Sequence, residues 1–195
     1  MDDPLVSLLL LPSNRMPEAE VSLRLAFYLL GLPESGPTAT VGIDGAHIKV
    51  HGNEVFPIEA FLSAYGWSQI SQSGKNNWQG VYSKLGKSLF LTTESGICDV
   101  VVTVGSRKVR AESKKGPLIT KKGSPEFPLI REAIGQLMTV EVVEDSDLLV
   151  VAVPLTACFR TLAGRWRSRP LITRTGIHFV LVGRDGTVEG LPAKW

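Results

Sequence analysis

Cysteine is scarce. The chain of 195 residues has two, Cys98 and Cys158, too few for a disulfide framework and without the spacing of a zinc site. A reducing, cytoplasmic setting is the expectation that follows. Long apolar runs are missing as well: Leu8-Leu9-Leu10-Leu11 stops at Pro12, follows Asp2 and Asp3 rather than a basic leader, and is too short to span a bilayer. Neither a signal peptide nor a membrane anchor is expected. There is no internal repeat and no low-complexity segment, which excludes collagen-like, coiled-coil and disordered-tail organisation. A Walker loop, a dinucleotide-binding glycine fingerprint and a nucleophile-elbow serine are also absent, so nucleotide hydrolysis and serine esterase chemistry lack support.

What the chain does have is an ordinary globular composition, 44% hydrophobic and 21% charged. At this length folding buries roughly 70% of the extended chain's surface, enough for one core without disulfides or a structural metal. A single domain over 1–195 is expected. The net charge of +2 conceals a split. Residues 105–125 carry seven Lys or Arg against Glu112 alone, and residues 158–174 carry five Arg and no acid. Together these stretches are net +11, which leaves −9 on the remainder. A basic face for a polyanion on an acidic body is one reading; two basic, merely solvated loops is the other.

Residues 17–31 read as a helix, with Pro17, Glu18 and Glu20 at its start, Gly31 at its end and an apolar stripe through Val21, Leu25 and Leu29. Thr40–Val55 alternates like a hairpin with turn signals at Asp44-Gly45 and Gly52-Asn53, and Pro57–Tyr65 reads as a short helix. The stretch 38–66 is therefore expected as a small hairpin/helix lobe inserted beside the core. Residues 71–80 read as a polar loop. Strands are expected at Ser88–Thr93, Cys98–Val104, Lys108–Lys114, Asp147–Val153 and Ile177–Val182, and helices at about 129–140 and 156–164. This order describes an α/β fold with a mixed sheet flanked by helices, its core at 88–182.

The most informative stretch runs from Cys98 to Lys114. Gly105-Ser106 suits a two-residue type II′ reversal, so Val104 pairs with Arg107. Counting back along the two strands sets Asp99 opposite Glu112. Directly opposed residues share a sheet face with Cβ atoms about 4.5–5.5 Å apart. Lys114, two residues beyond Glu112, falls on the same face. Cys98 is expected to point the other way, into packing. Two facing carboxylates repel, and a divalent cation between them relieves the repulsion. Mg²⁺ prefers such oxygen ligands, together with water and phosphate oxygens. Lys114 would then orient or help deprotonate a water and steady developing negative charge.

Asp99 and the Glu112-Ser113-Lys114 tripeptide resemble the PD-(D/E)xK motif of the restriction-endonuclease-like phosphodiesterases. The resemblance covers about half the chain well and the N-terminal third poorly. It implies a restriction-endonuclease-like fold, Mg²⁺ (or Mn²⁺) held by Asp99 and Glu112, and Lys114 assisting the nucleophilic water. It also implies a glutamine from the helix after the motif, for which Gln136 is the candidate, and a third acid from the first helix, either Glu20 or Glu18. Two positions depart from the pattern. Cys98 stands where a proline is common, and Val140 stands where some branches carry a tyrosine four residues after the glutamine.

The function implied is metal-dependent phosphodiester hydrolysis of nucleic acid, with DNA favoured as substrate and RNA left open. Endonuclease action is favoured because no strand-threading feature is visible. Arg107, Lys115, Lys121, Lys122, Arg165, Trp166, Arg167 and Arg169 are the expected nucleic-acid contacts, Trp166 because an aromatic flanked by arginines suits stacking on a base. A homodimer would suit duplex cutting, since each strand needs its own site. The alternative is a catalytically inactive module of the same fold that binds nucleic acid or a protein. His47 and His51 sit four apart in an apparent strand and do not form a metal pair, and His178 reads as a core or rim histidine.

Overall fold

A computed structural model of the chain describes residues 9, 11–50, 53–94, 96, 98–119 and 126–195. Its centre is a nine-stranded mixed sheet flanked by helices, in the order β13-β12-β11-β9-β8-β2-β7-β6-β5. These strands are β2 (Ser35–Gly42), β5 (Ser68–Gln72), β6 (Gly80–Lys84), β7 (Lys87–Thr92), β8 (Val100–Val104), β9 (Arg107–Ser113), β11 (Asp147–Pro154), β12 (His178–Val182) and β13 (Val188–Glu189). Two small ladders stand apart: β1 (Arg15–Met16) with β10 (Gly116–Pro117), and β3 (Lys49–Val50) with β4 (Asn53–Glu54). The helices are α1 (Glu18–Leu30), α2 (Ile58–Ala64), α3 (Glu126–Leu137), α4 (Ala157–Arg167) and α5 (Pro170–Thr175). Among the described residues no helix is long and apolar enough to cross a membrane.

The expected register holds along the central hairpin. Val104 pairs with Arg107 and the ladder continues to Val100 and Ala111. Gly105 has φ +58°, the left-handed conformation that the first position of this reversal demands. Period-two alternation then divides the pair between two cores. Val100, Val102, Val104, Val109 and Ala111 pack in the cluster that holds α1, where Val21, Leu25 and Leu29 are fully buried. Each such side chain contributes roughly 1.5–3 kcal/mol by leaving water. The opposite face of the sheet carries α3 and α4 over Val151, Val153, Phe179 and Leu181. Strand β11 lies parallel to both β9 and β12, and its run of buried residues suits a strand covered on both sides.

Four expectations are corrected. Thr40–Val55 is not one hairpin: residues 38–42 belong to β2, which is parallel to β7 and antiparallel to β8 inside the main sheet. Only the ladder of β3 with β4 remains of it. Nor is 38–66 a lobe with a core of its own, because Ile43, Ile48, Phe56, Ile58, Phe61 and Leu62 join the cluster under α1. Alternation along Thr40–Gly42 is equally compatible with a central strand, and the apolar residues after it had no other surface to cover. The polar stretch 71–80 is in part strand, since β5 runs to Gln72 before a loop over 73–79. The third helix also begins at Glu126 rather than 129, because Pro128 in its first turn forfeits no helical hydrogen bond.

At the reversal between β6 and β7, Leu85 and Gly86 both adopt positive φ (+48° and +76°), and Leu85 is 93% exposed. A leucine side chain gains nothing there and opposes the left-handed backbone. Leu85→Asn is expected to stabilise the protein by about 1 kcal/mol, read as a higher urea midpoint at unchanged slope.

Candidate active site

The hairpin delivers Asp99 and Glu112 to one cavity. Asp99 occupies a bend just before β8, where its carbonyl accepts the Gly42 N–H at 3.0 Å and its Oδ2 accepts the Ser113 N–H at 2.7 Å. Glu112, buried in β9, flanks the same space of about 490 Å³, with Gln136, Asp44, Glu94 and Thr139 among the other lining residues. Burial, then the neighbouring Glu112 charge, lifts the Asp99 carboxyl from 3.8 to about 7. Burial likewise raises Glu112, although Lys114 and a hydrogen bond from the Cys98 thiol oppose the shift.

Cys98 is therefore on the acid side and not opposite it. Its side chain belongs to the cluster beneath α3 and lines the same cavity. Strand alternation does not extend through the bend at Asp99, which explains the departure. Burial and the adjacent carboxylates push the thiol up to about 12, so it is a packed donor to Glu112 and not a nucleophile.

Lys114 follows β9 directly, and its N–H extends the parallel ladder to the Ala152 carbonyl at 2.8 Å. Its ammonium is 3% exposed and lies 3.4 Å from Glu18 Oε1 and 3.3 Å from Glu132 Oε1. Burial acts to lower its pKa, but Glu18, Asp99 and Glu132 outweigh it and the net shift is upward. Lys114 thus holds its proton. In that state it can orient a water and neutralise charge.

Of the two first-helix acids, Glu18 is the one at the site. Besides Lys114 it meets the Lys115 N–H at 3.3 Å and His47 Nδ1 at 3.5 Å. Glu20 is elsewhere. It is fully buried against Arg24 Nε (2.9 Å), Arg184 Nε (2.9 Å) and Arg184 Nη2 (2.8 Å), and Arg24 donates onward to the Arg184 carbonyl at 2.7 Å. Two positions along a helix is about 200° of rotation, so the two acids cannot serve one site, and Glu20 instead ties α1 to the loop after β12.

The expected nucleic-acid contacts scatter. Lys115 is exposed beside Glu18, close to the acids. Arg107 is at the far end of the hairpin, five residues along the strand and so about 17 Å away. Lys121 and Lys122 lie outside the described residues. Trp166 is half-buried and stacked on Phe127 at 5.8 Å and on Phe179 at 6.3 Å, so its ring is engaged in packing beside the trough. Arg167 donates to the Phe179 carbonyl and braces α4, while Arg165 and Arg169 border an apolar trough between α3, α4 and α5.

Glu132 and His47 belong to the site without having been singled out. Glu132 and Gln136 are four apart on α3 and so share a helix face, a spacing visible in the sequence. No local pattern announces His47, which arrives through the turn at Gly45–His47. Among the described residues no group of three or more His, Cys, Asp or Glu converges as a metal site. No family model matches the chain, and neither does a curated protein or a solved structure.

Two outcomes are expected. Glu20→Gln leaves Arg24 and Arg184 short of their buried counter-charge and is expected to cost about 3–5 kcal/mol in urea unfolding, whereas Glu18→Gln is expected to cost about 1 kcal/mol or less. The raised Asp99 value means that folding favours its protonated form. The resulting stabilisation is complete below the unfolded value of 3.8 and is lost as pH rises through about 7. In chelator, the denaturation midpoint should therefore fall with rising pH across this interval, and Asp99→Asn should flatten the dependence.

Proposed function

We propose that the chain is a divalent-metal-dependent nuclease of the restriction-endonuclease-like, PD-(D/E)xK type, acting on DNA as an endonuclease. The observation that carries this reading is the meeting of Asp99 and Glu112 in one cavity beside the protonated, buried Lys114. The order of elements supports it: a leading helix, an antiparallel hairpin bearing the acids, then helix and parallel strand twice over, as the resemblance implies.

The residues fit a hard dication. The cavity offers carboxylate oxygens, and burial together with the Glu112 charge raises one of its acids, Asp99, to about 7. Asp99 and Glu112 would hold Mg²⁺ or Mn²⁺, with water and phosphate oxygens as further ligands. Once bound, such an ion polarises a phosphodiester and lowers the pKa of its water. The chain's own groups would do the rest. The Ser113 N–H fixes one oxygen of Asp99 and so aims the other. Glu18 and Glu132 hold the Lys114 ammonium where it can orient the attacking water and balance the charge that develops on phosphorus-bound oxygens. Gln136 lines the same cavity and is available to position that water or the phosphate. Lys115, beside Glu18, would neutralise a neighbouring phosphate.

A second reading is a nuclease-fold module without catalysis. It is favoured by the scatter of the arginines, which do not ring the acids, and by a cavity whose Asp44 and Glu94 add negative charge.

Supercoiled plasmid incubated with Mg²⁺ or Mn²⁺ distinguishes the two. Nicking that chelator abolishes, and that Asp99→Asn and Lys114→Ala each reduce about a hundredfold or more, is the expected outcome. Plasmid retained by the protein but left intact under both metals would establish the second reading instead.

A further inference from the structure

Away from the acid cavity, a trough of about 710 Å³ opens between α3, α4 and α5. Phe127 of α3, Met138 just after that helix and Leu171 of α5 lie along it, 47%, 64% and 71% exposed. Exposed apolar side chains grouped in this way mark a contact surface. The charged side chains on its border are arginines. Arg165 and Arg169 border the trough, Arg131 lies 5.7 Å from the Phe127 ring, and residues 157–175 contain no acid. A nucleic-acid backbone would meet the arginines and leave the apolar floor uncovered. The complementary surface is one with apolar side chains set between carboxylates.

This chain presents such a surface. Between α3 and β11, Val142 and Val143 are 67% and 47% exposed and are flanked by Glu141, Glu144 and Asp145. The segment is held in shape. The Glu144 N–H donates to Asp147 Oδ2 at 3.2 Å, the Asp147 N–H returns to the Glu144 carbonyl at 2.9 Å, and Arg110 Nε anchors the same carboxylate at 2.7 Å. A preorganised projection loses little freedom on docking. Its valines remain exposed within their own molecule, so the trough beside them is not their seat there.

We propose that the occupant of the trough is the Glu141–Asp145 segment of a second copy of this chain, in a dimer where each copy inserts its segment into the other's trough. A two-fold arrangement satisfies both copies at once, since the same patch supplies projection and recess. The valines cover Phe127, Met138 and Leu171, and the three acids face the arginine rim. The assembly does not rest on the nuclease reading and stands or falls separately from it.

Light scattering on the full chain after size exclusion tests it. Twice the 21.2 kDa of one chain is expected at low salt, with weaker association as salt screens the rim. Leu171→Glu and Val142→Glu both alter exposed positions and are expected to leave the circular dichroism spectrum unchanged while weakening dimerisation at least about tenfold. Arg165→Glu with Arg169→Glu is expected to give monomers, and adding Glu141→Lys with Glu144→Lys in the same chain to restore the dimer. A mass of one chain at every concentration would overturn the proposal. So would a dimer indifferent to Leu171→Glu and Val142→Glu, or arginine variants that lose plasmid retention while dimerising normally.

Discussion

Gly105 lets the chain reverse in two residues, and the pairing that starts there carries through to Val100 and Ala111. A slip of one residue would turn every side chain of β9 to the other face. Val109 and Ala111 would leave the core beneath α1, and Glu112 would be driven into it. The register is therefore held by apolar burial, not by the acids, which gain nothing from meeting. Asp99 and Glu112 repel each other in a site that the valines around them impose. Locally unfavourable pairs of this kind cluster at functional sites, which is the ground for proposing chemistry at this one.

Charge inside the molecule is handled in two ways. Around Glu20, two guanidinium groups satisfy the carboxylate while the Arg184 and Arg15 carbonyls accept their remaining N–H groups, and the result is a rivet between α1 and the loop after β12. Around Lys114 the balance runs the other way, with one ammonium among Glu18, Glu132 and Asp99. That excess of negative charge distinguishes a place suited to a cation from one that is merely held together. The upward shift of the Lys114 ammonium follows from the same excess.

Much of this was legible in the sequence wherever a short-range rule decides the outcome. The two-residue reversal set the register, the i, i+4 stripe set α1, and the apolar run of Asp147–Val153 marked the doubly covered strand. Long-range placement was not legible. Alternation in Thr40–Gly42 fits a hairpin and a central strand equally well, and only the positions of β7 and β8 decide between them. Glu18 and Glu20 were inseparable because the face α1 presents to Lys114 depends on how the helix lies on the sheet. Trp166 between arginines reads as a stacking platform until Phe127 and Phe179 are brought against it. Cys98 departs from the expected face because strand alternation ends at Val100, two residues short of it.

Strand β2 lies between β7 and β8, both of which come later in the chain. As the polypeptide leaves the ribosome, α1 and β2 emerge about 45 residues or more before the first of those neighbours, with no edge to join and no floor for the helix. Loop-closure entropy disfavours their early capture. The turn at Gly105–Ser106 asks for no such wait, since its two strands are adjacent in sequence. The hairpin that bears the acids is thus also the natural seed on which β2 closes from one side and β11 from the other. A lesion at Gly105 would then be felt first as a delay in reaching the native state and only afterwards as a defect in whatever the finished protein does.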